Sequence, residues 1–149
     1  MTLEELLARE GIRDLVARYN ANGDSGRFDA VMALFVDNAV MEVGTRGTPF
    51  VSHRGRDELR MIFTGAQSRV QTKGTDSPTH VRHFTATHQI DMVDAHHASG
   101  RCYFSVLTDV GLDHWGHYVD RYVREGETWK FEFRRAAVDG FSPTSLFAP

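Results

Sequence analysis

The stretch IRDLVARYNANGD, residues 12–24, decides how the chain is read. Ile12, Leu15, Val16 and Tyr19 recur at helical spacing, so the segment predicts the end of an amphipathic helix. Asn22-Gly23 is a stop signal, and Asp24 follows it at the helix exit. A carboxylate in that place can cap the next helix, a common use of aspartate at such boundaries. At the open end of a half-polar cavity it is instead a candidate general base. The rest of the chain is read for signs of that cavity.

The 149 residues suffice for one domain, 1–149, with a full hydrophobic core. Net charge is −3 and the pI is about 6.2. A nucleic-acid binder would carry a basic face, so none is expected as a partner. Acidic and basic residues are interspersed, and no apolar run approaches the roughly 20 residues a bilayer requires. The N-terminal MTLEELLARE is acidic and helical and lacks a secretory pattern. The single cysteine, Cys102, excludes an intrachain disulfide and reads as a small core residue. A cytoplasmic protein with no membrane contact is the expectation.

Upstream of residue 12, Thr2 and Glu5 form a plausible capping box, and Leu3, Leu6 and Leu7 continue the apolar face. Gly11 interrupts the helical pattern, which allows the helix to begin as two pieces. A second helix is expected to carry Phe28, Val31, Met32, Leu34 and Phe35, capped by Asp24 or Ser25. Residues 36–38 read as a turn, 39–43 as a short strand and 50–53 as another. A third helix follows, with Leu59, Ile62, Phe63, Ala66 and Val70 on one face, and the polar segment 71–78 reads as a surface loop. Four long strands are expected at 83–93, 98–109, 114–124 and 128–138, with Glu125-Gly126-Glu127 as a hairpin turn. The apolar tail 139–149 is placed to fold over the sheet or the cavity mouth. Helices first and a long antiparallel meander afterwards predict an α+β fold with a curved sheet wrapped on the helices.

The string IRDLVARYNANGDSGRFDAVMALFVDNAV, with THVRHFTATHQIDM, SGRCYFSV and HYVDRYVREGETWKF, resembles the SnoaL-like branch of the nuclear-transport-factor-2-like, or ketosteroid-isomerase-like, superfamily. The resemblance covers nearly the whole chain. It implies a cone-shaped α+β barrel, with three N-terminal helices packed on a highly curved, mostly antiparallel mixed sheet. Within the superfamily the pattern is similar to scytalone dehydratase, bile acid dehydratase and hexachlorocyclohexane dehydrochlorinase. Those enzymes share an aspartate after the first helix and a histidine at the start of the strand after the third, places held here by Asp24 and His83. The bile acid dehydratase type has a tyrosine five residues before the aspartate, matched by Tyr19. The dehydrochlorinase has an arginine five residues after the last strand's tryptophan, matched by Arg134 counted from Trp129. Strand alternation leaves Arg135 as a rival, and His80 competes with His83. A carboxylate on the second long strand of some relatives has only Asp109 as a counterpart.

β-Elimination needs a base to take a proton from carbon and an acid to help the leaving group. An imidazole, with an ordinary pKa of about 6.5, suits either task, and a carboxylate bonded to it fixes its tautomer. The resemblance thus implies a cofactor-independent lyase in which His83 is oriented by Asp24. Tyr19 would bond a leaving oxygen or carbonyl, and Arg134 would stabilise a developing anion. An isomerase or cyclase could use the same four groups, and the fold also serves as a non-catalytic binding or assembly module. Each residue has a plainer reading too: His83 as a solvent-facing strand residue, Tyr19 as core, one of the two arginines as surface.

Eight histidines raise the question of a metal, but no pair stands in a ligand motif, so none is expected. Trp115 and His117 share one strand face, which would turn His117 into the cavity if Trp115 faces it. Phe35, Met41, Met61, Phe63, Phe84, Phe104, Trp115, Tyr118 and Phe141 could form an apolar cavity wall or simply a core. An apolar wall would suit a hydrophobic ring-containing substrate, steroid-like or polyketide-like. Tyr103, Tyr122 and Phe131 are expected on the outer sheet face as a homodimer surface.

Overall fold

The computed structural model describes residues 1–72 and 78–149, with the side chains of 69–72 outside the description. Three helices, α1 (Leu3–Asp24), α2 (Phe28–Met32) and α3 (Gly55–Thr72), precede most of the sheet. Its strands are β1 (Phe35–Thr45), β2 (Val51–Arg54), β3 (Arg82–Met92), β4 (His97–Thr108), β5 (Gly111–Glu125) and β6 (Thr128–Phe141). Their order is β2-β1-β6-β5-β4-β3; β1 and β6 run parallel and every other neighbouring pair antiparallel. The edges β2 and β3 do not pair with each other, so the mixed sheet curls around the helices without closing. Register shifts in the pairings of β1 with β6 and of β3 through β6 sharpen the local twist and aid that curl. This is the α+β arrangement that the resemblance implied, helices packed on a curved, mostly antiparallel mixed sheet, with the sheet left unclosed.

Helix α1 is continuous through Gly11. The Trp129 ring lies so close that a Cβ added at Gly11 would stand 3.0 Å from its Cδ1. The glycine therefore admits a tight helix–sheet contact rather than breaking the helix. The Thr2 side chain accepts a bond from the Glu5 N–H, while the Glu5 carboxylate takes Arg9 instead of closing the box. Burial begins at Ala8 and continues through Ile12, Leu15, Val16 and Tyr19. Leu3, Leu6 and Leu7 are exposed, contrary to their expected place in the core.

Helix α2 ends at Met32, and the chain enters the sheet at Phe35. The Phe131 N–H donates to the Leu34 carbonyl, and Phe35 pairs with Phe131, so sheet pairing replaces the expected last helical turn. The expected turn at 36–38 is an irregularity inside β1, between the registered positions Phe35 and Val40. Residues 71 and 72 extend α3 into the expected loop. The remainder of that loop at 73–77, and the side chain of Val70, lie outside the described residues. Gly126 has φ +61°, the left-handed conformation the β5–β6 hairpin needs.

The core sits between α1, α2 and the concave face. Ile12, Val31, Phe35, Leu59, Val106, Tyr122 and Phe131 are each at most 1% exposed. Full burial of such side chains contributes about 1.5–3 kcal/mol each. Tyr122 and Phe131 are thus core residues, not outer-face residues, because the inward phase of β5 runs through His114, Tyr118 and Tyr122. Phe84, Tyr103, Trp115 and Val119 are among the exposed apolar side chains of the outer face. Cys102 is buried, and burial pushes its thiol pKa up to about 11. No helix among the described residues is long and apolar enough to cross a membrane.

Candidate active site

A cavity of about 380 Å³ opens between the helices and the concave face of the sheet. Its walls are mostly apolar, from Met41, Phe63, Phe104, Ala136 and Val138 among others. The expected wall residues Met61, Phe84 and Trp115 are exposed instead, and Phe35 belongs to the core. Polar lining comes from Tyr19, Asn20, Gln67 and Tyr118, and from Asp24, His83 and His114.

Asp24 and His83, 59 residues apart, meet here. Asp24 Oδ1 lies 2.6 Å from His83 Nδ1, and Asp24 Oδ2 accepts the His83 backbone N–H at 2.8 Å. Both carboxylate oxygens therefore hold one residue. Nδ1 of His83 is occupied, which leaves Nε2 as the nitrogen without a partner among the described residues. Asp24 does not act as a helix cap. Arg27 occupies the N-cap of α2 with no side-chain bond, and the Ser25 hydroxyl donates back to the Ala21 carbonyl.

Tyr19 lines the cavity, and its hydroxyl donates to Met41 Sδ at 3.9 Å. Burial, opposed by the Arg134 charge, pushes its pKa up to about 12, so the phenol stays protonated and can donate.

Arg134 faces inward but does not line the cavity. Its Nε and Nη2 donate to the two oxygens of buried Asp120, each at 2.8 Å. The guanidinium carbon lies 3.9 Å from the Tyr118 ring centroid and 4.2 Å from those of Tyr19 and Phe131. The expected direct contact with a developing anion is thus displaced by an ion pair behind two cavity tyrosines. Burial opposes the charge, but Asp120 outweighs it and holds the Arg134 pKa above its ordinary value. Arg134 turns inward because the β5–β6 register shifts between Phe131 and Phe133, which reverses the alternation set by Trp129 and Phe131. Arg135 points to the other face, bonded to Glu42 at 2.6 Å and stacked on Phe50.

His80 belongs to an exposed cluster with Thr79 and Asp109, away from Asp24, so neither it nor Asp109 enters the site. His117 pairs with Asp139 at 2.9 Å, and neither it nor Trp115 lines the cavity. The phase of β5 is one residue from that expectation: His114 is the inward histidine. Its Nδ1 lies 2.8 Å from Asp113 Oδ1, and its ring centroid is 6.3 Å from that of His83. Burial and the nearby His83 hold the His114 pKa below its ordinary value, against the opposing pull of Asp113. Asp113 is fully buried and also accepts the Ser145 hydroxyl, the Leu146 N–H and the Thr108 hydroxyl. Burial would raise its pKa, but these bonds together hold it below the ordinary value. The tail they anchor brings Phe147 against the His114 ring and into the cavity wall.

Asn20, His114 and Asp113 were not singled out in the sequence. Asn20 carried a usable signal, four residues after Val16 on the buried face of α1; its Oδ1 accepts the Tyr118 hydroxyl at 3.1 Å. Gly116 lets β5 lie close under the cavity floor, where a Cβ would come within 2.7 Å of Phe104 Cζ. Among the described residues, no group of three or more His, Cys, Asp or Glu is placed to hold a metal ion.

A search of curated proteins returns no match. Solved structures share the fold. A candidate scytalone dehydratase from Novosphingobium aromaticivorans DSM 12444 superposes with a TM-score of 0.76 at 20% identity, over 95% of this chain and 91% of that one. A hexachlorocyclohexane dehydrochlorinase from Novosphingobium barchaimii LL02 gives 0.73 at 17% identity, over 99% and 98%. A nuclear-transport-factor-2-like protein with a cystatin-like fold, from Novosphingobium aromaticivorans, gives 0.73 at 25% identity, over 99% and 93%. The family model of the SnoaL-like domain matches residues 4–135. With most of its length matched, this chain belongs to the SnoaL-like domain family.

Proposed function

We propose that the chain is a cofactor-independent lyase of the dehydratase type, acting on a hydrophobic, ring-containing small molecule such as a steroid or polyketide. The observation that carries this reading is the Asp24–His83 pair, 2.6 Å apart at the edge of an apolar cavity. In the proposed reaction, His83 Nε2 takes a proton from carbon. The C–H electron pair forms the double bond as the C–O bond to the leaving group breaks. The imidazolium returns its proton to the departing oxygen, which leaves as water. Asp24 stabilises the imidazolium and holds the ring in place. Tyr19 turns from Met41 to hydrogen-bond the leaving oxygen or an adjacent carbonyl and keeps its proton. Likeness to dehydratase and dehydrochlorinase structures supports elimination as the reaction class.

The test is a screen of hydroxylated ring compounds followed by mass spectrometry in deuterated water. Loss of one water, abolished in His83→Ala, is the expected result. Deuterium uptake without loss of water would point to the isomerase or cyclase reading. Turnover unchanged in a folded His83→Ala sinks the mechanism. A homodimer is also proposed, supported by Phe84, Tyr103, Trp115 and Val119 exposed on the outer sheet face. Sedimentation of a single monomeric species at micromolar concentration contradicts it.

A further inference from the structure

Two imidazoles face the same part of the cavity, and they are wired alike. His83 Nδ1 is tied to Asp24 and His114 Nδ1 to Asp113. In a neutral imidazole whose Nδ1–H donates to a carboxylate, Nε2 carries a lone pair and no hydrogen. His114 Nε2 has no partner among the described residues, although the ring is buried and lines the cavity. Burial favours the neutral ring. The Tyr118 hydroxyl is already engaged by Asn20, and the proposed reaction commits the Tyr19 hydroxyl to the leaving oxygen or an adjacent carbonyl. This end of the cavity therefore offers two acceptors, and a ligand must bring the donors.

We propose that His114 is a specificity-determining residue: its Nε2 accepts a hydrogen bond from a hydroxyl on the substrate ring, apart from the reacting carbon, and sets that carbon over His83. Asp113 is the positioning residue that fixes the tautomer. The ring centroids of His83 and His114 are 6.3 Å apart and their planes 85° apart, close enough for one ring-sized ligand to contact both. The substrate class follows as a hydroxylated, otherwise apolar ring, a phenol or a second alcohol. This deepens the proposed lyase reading, since it names a feature of that enzyme's substrate, but its test measures binding and not turnover.

The probes are 2-naphthol and 2-methylnaphthalene, similar in size and differing in the hydroxyl donor. The wild-type protein should bind 2-naphthol about fivefold to tenfold more tightly, the worth of one hydrogen bond. His114→Phe should remove the preference, and His114→Gln, which keeps an acceptor, should retain part of it. His83→Gln should leave it intact. On the wild-type protein, the ¹⁵N resonance of His114 Nε2 should read as unprotonated and shift with 2-naphthol but not with 2-methylnaphthalene. That measurement stands even if His114→Phe fails to fold. Equal affinity for the two probes, a protonated Nε2, or a preference that follows His83 overturns the proposal. Loss of the lyase reading would show separately, as turnover indifferent to His83.

Discussion

The two aspartate–histidine pairs of the cavity look alike and are built in opposite ways. Asp24 and His83 come from the end of α1 and the edge strand β3, and only the fold brings them together. Asp113 and His114 are sequence neighbours on β5. Asp24 spends both oxygens on one residue, the ring and the backbone N–H of His83. Asp113 accepts one bond from its histidine and three more from Thr108 and the tail at Ser145 and Leu146. One carboxylate is devoted to its imidazole, while the other also holds the C-terminal segment against the sheet. Identical residue types thus divide into a group whose loss should cost chemistry and a group whose loss should cost structure.

The largest expected effect is on turnover. Asp24→Asn should lower kcat by about 10²- to 10⁴-fold, the usual worth of a positioned acid–base group, with little change in the urea midpoint. Steady-state kinetics on a substrate from the screen, beside urea unfolding, would check it. A variant that loses stability but keeps its rate would erase the contrast. Next in size, Asp113→Ala should lower the unfolding free energy by about 3 kcal/mol, because four hydrogen bonds, one to a buried imidazole, lose their acceptor. Carboxypeptidase should then trim the tail faster than in the wild-type protein. A loss below about 1 kcal/mol would show that the tail needs no such anchor.

The smallest effect concerns pH. The His114 pKa lies below its ordinary value in the fold, so on acidification the unfolded chain takes up this proton first. Above an ordinary imidazole pKa of about 6.5 the group is neutral in both states and contributes no slope. As pH falls below that, stability should decline by at most about 1.4 kcal/mol per pH unit for one proton. His114→Gln should flatten that part of the stability profile between about pH 6.5 and 5, read by thermal unfolding. An unchanged slope would mean that His114 carries no such penalty. Asp113, whose pKa the fold also lowers, removes stability in the same direction, but only at lower pH, where the unfolded carboxylate begins to protonate.

Much of the architecture was legible because it rests on local periodicity. The apolar spacing of Ile12, Leu15, Val16 and Tyr19 marks a helix face, and the long alternating segments after residue 78 mark strands. The structure departs from the sequence pattern where alternation changes phase. Val36 to Asn38 looked like a turn but form part of β1, since paired strands tolerate extra residues as irregularities. Trp115 is apolar yet faces outward, because His114, Tyr118 and Tyr122 set the buried phase, and it is His114 rather than His117 that turns towards the cavity.

The sequence by itself determined the element order, the family resemblance and the placing of Asp24 at the end of a helix. Helix and strand periods, stop signals and short motifs are properties of neighbouring residues, and a linear chain displays them directly. Only the tertiary structure decided that Asp24 binds His83 instead of capping α2, that Arg134 retires behind Tyr19 and Tyr118 with Asp120, and that His114 joins the cavity. Those outcomes depend on strand register and on partners far away in sequence. A shift of one residue turns a side chain to the opposite face of a sheet, and the energy that selects the register comes from packing against the whole core.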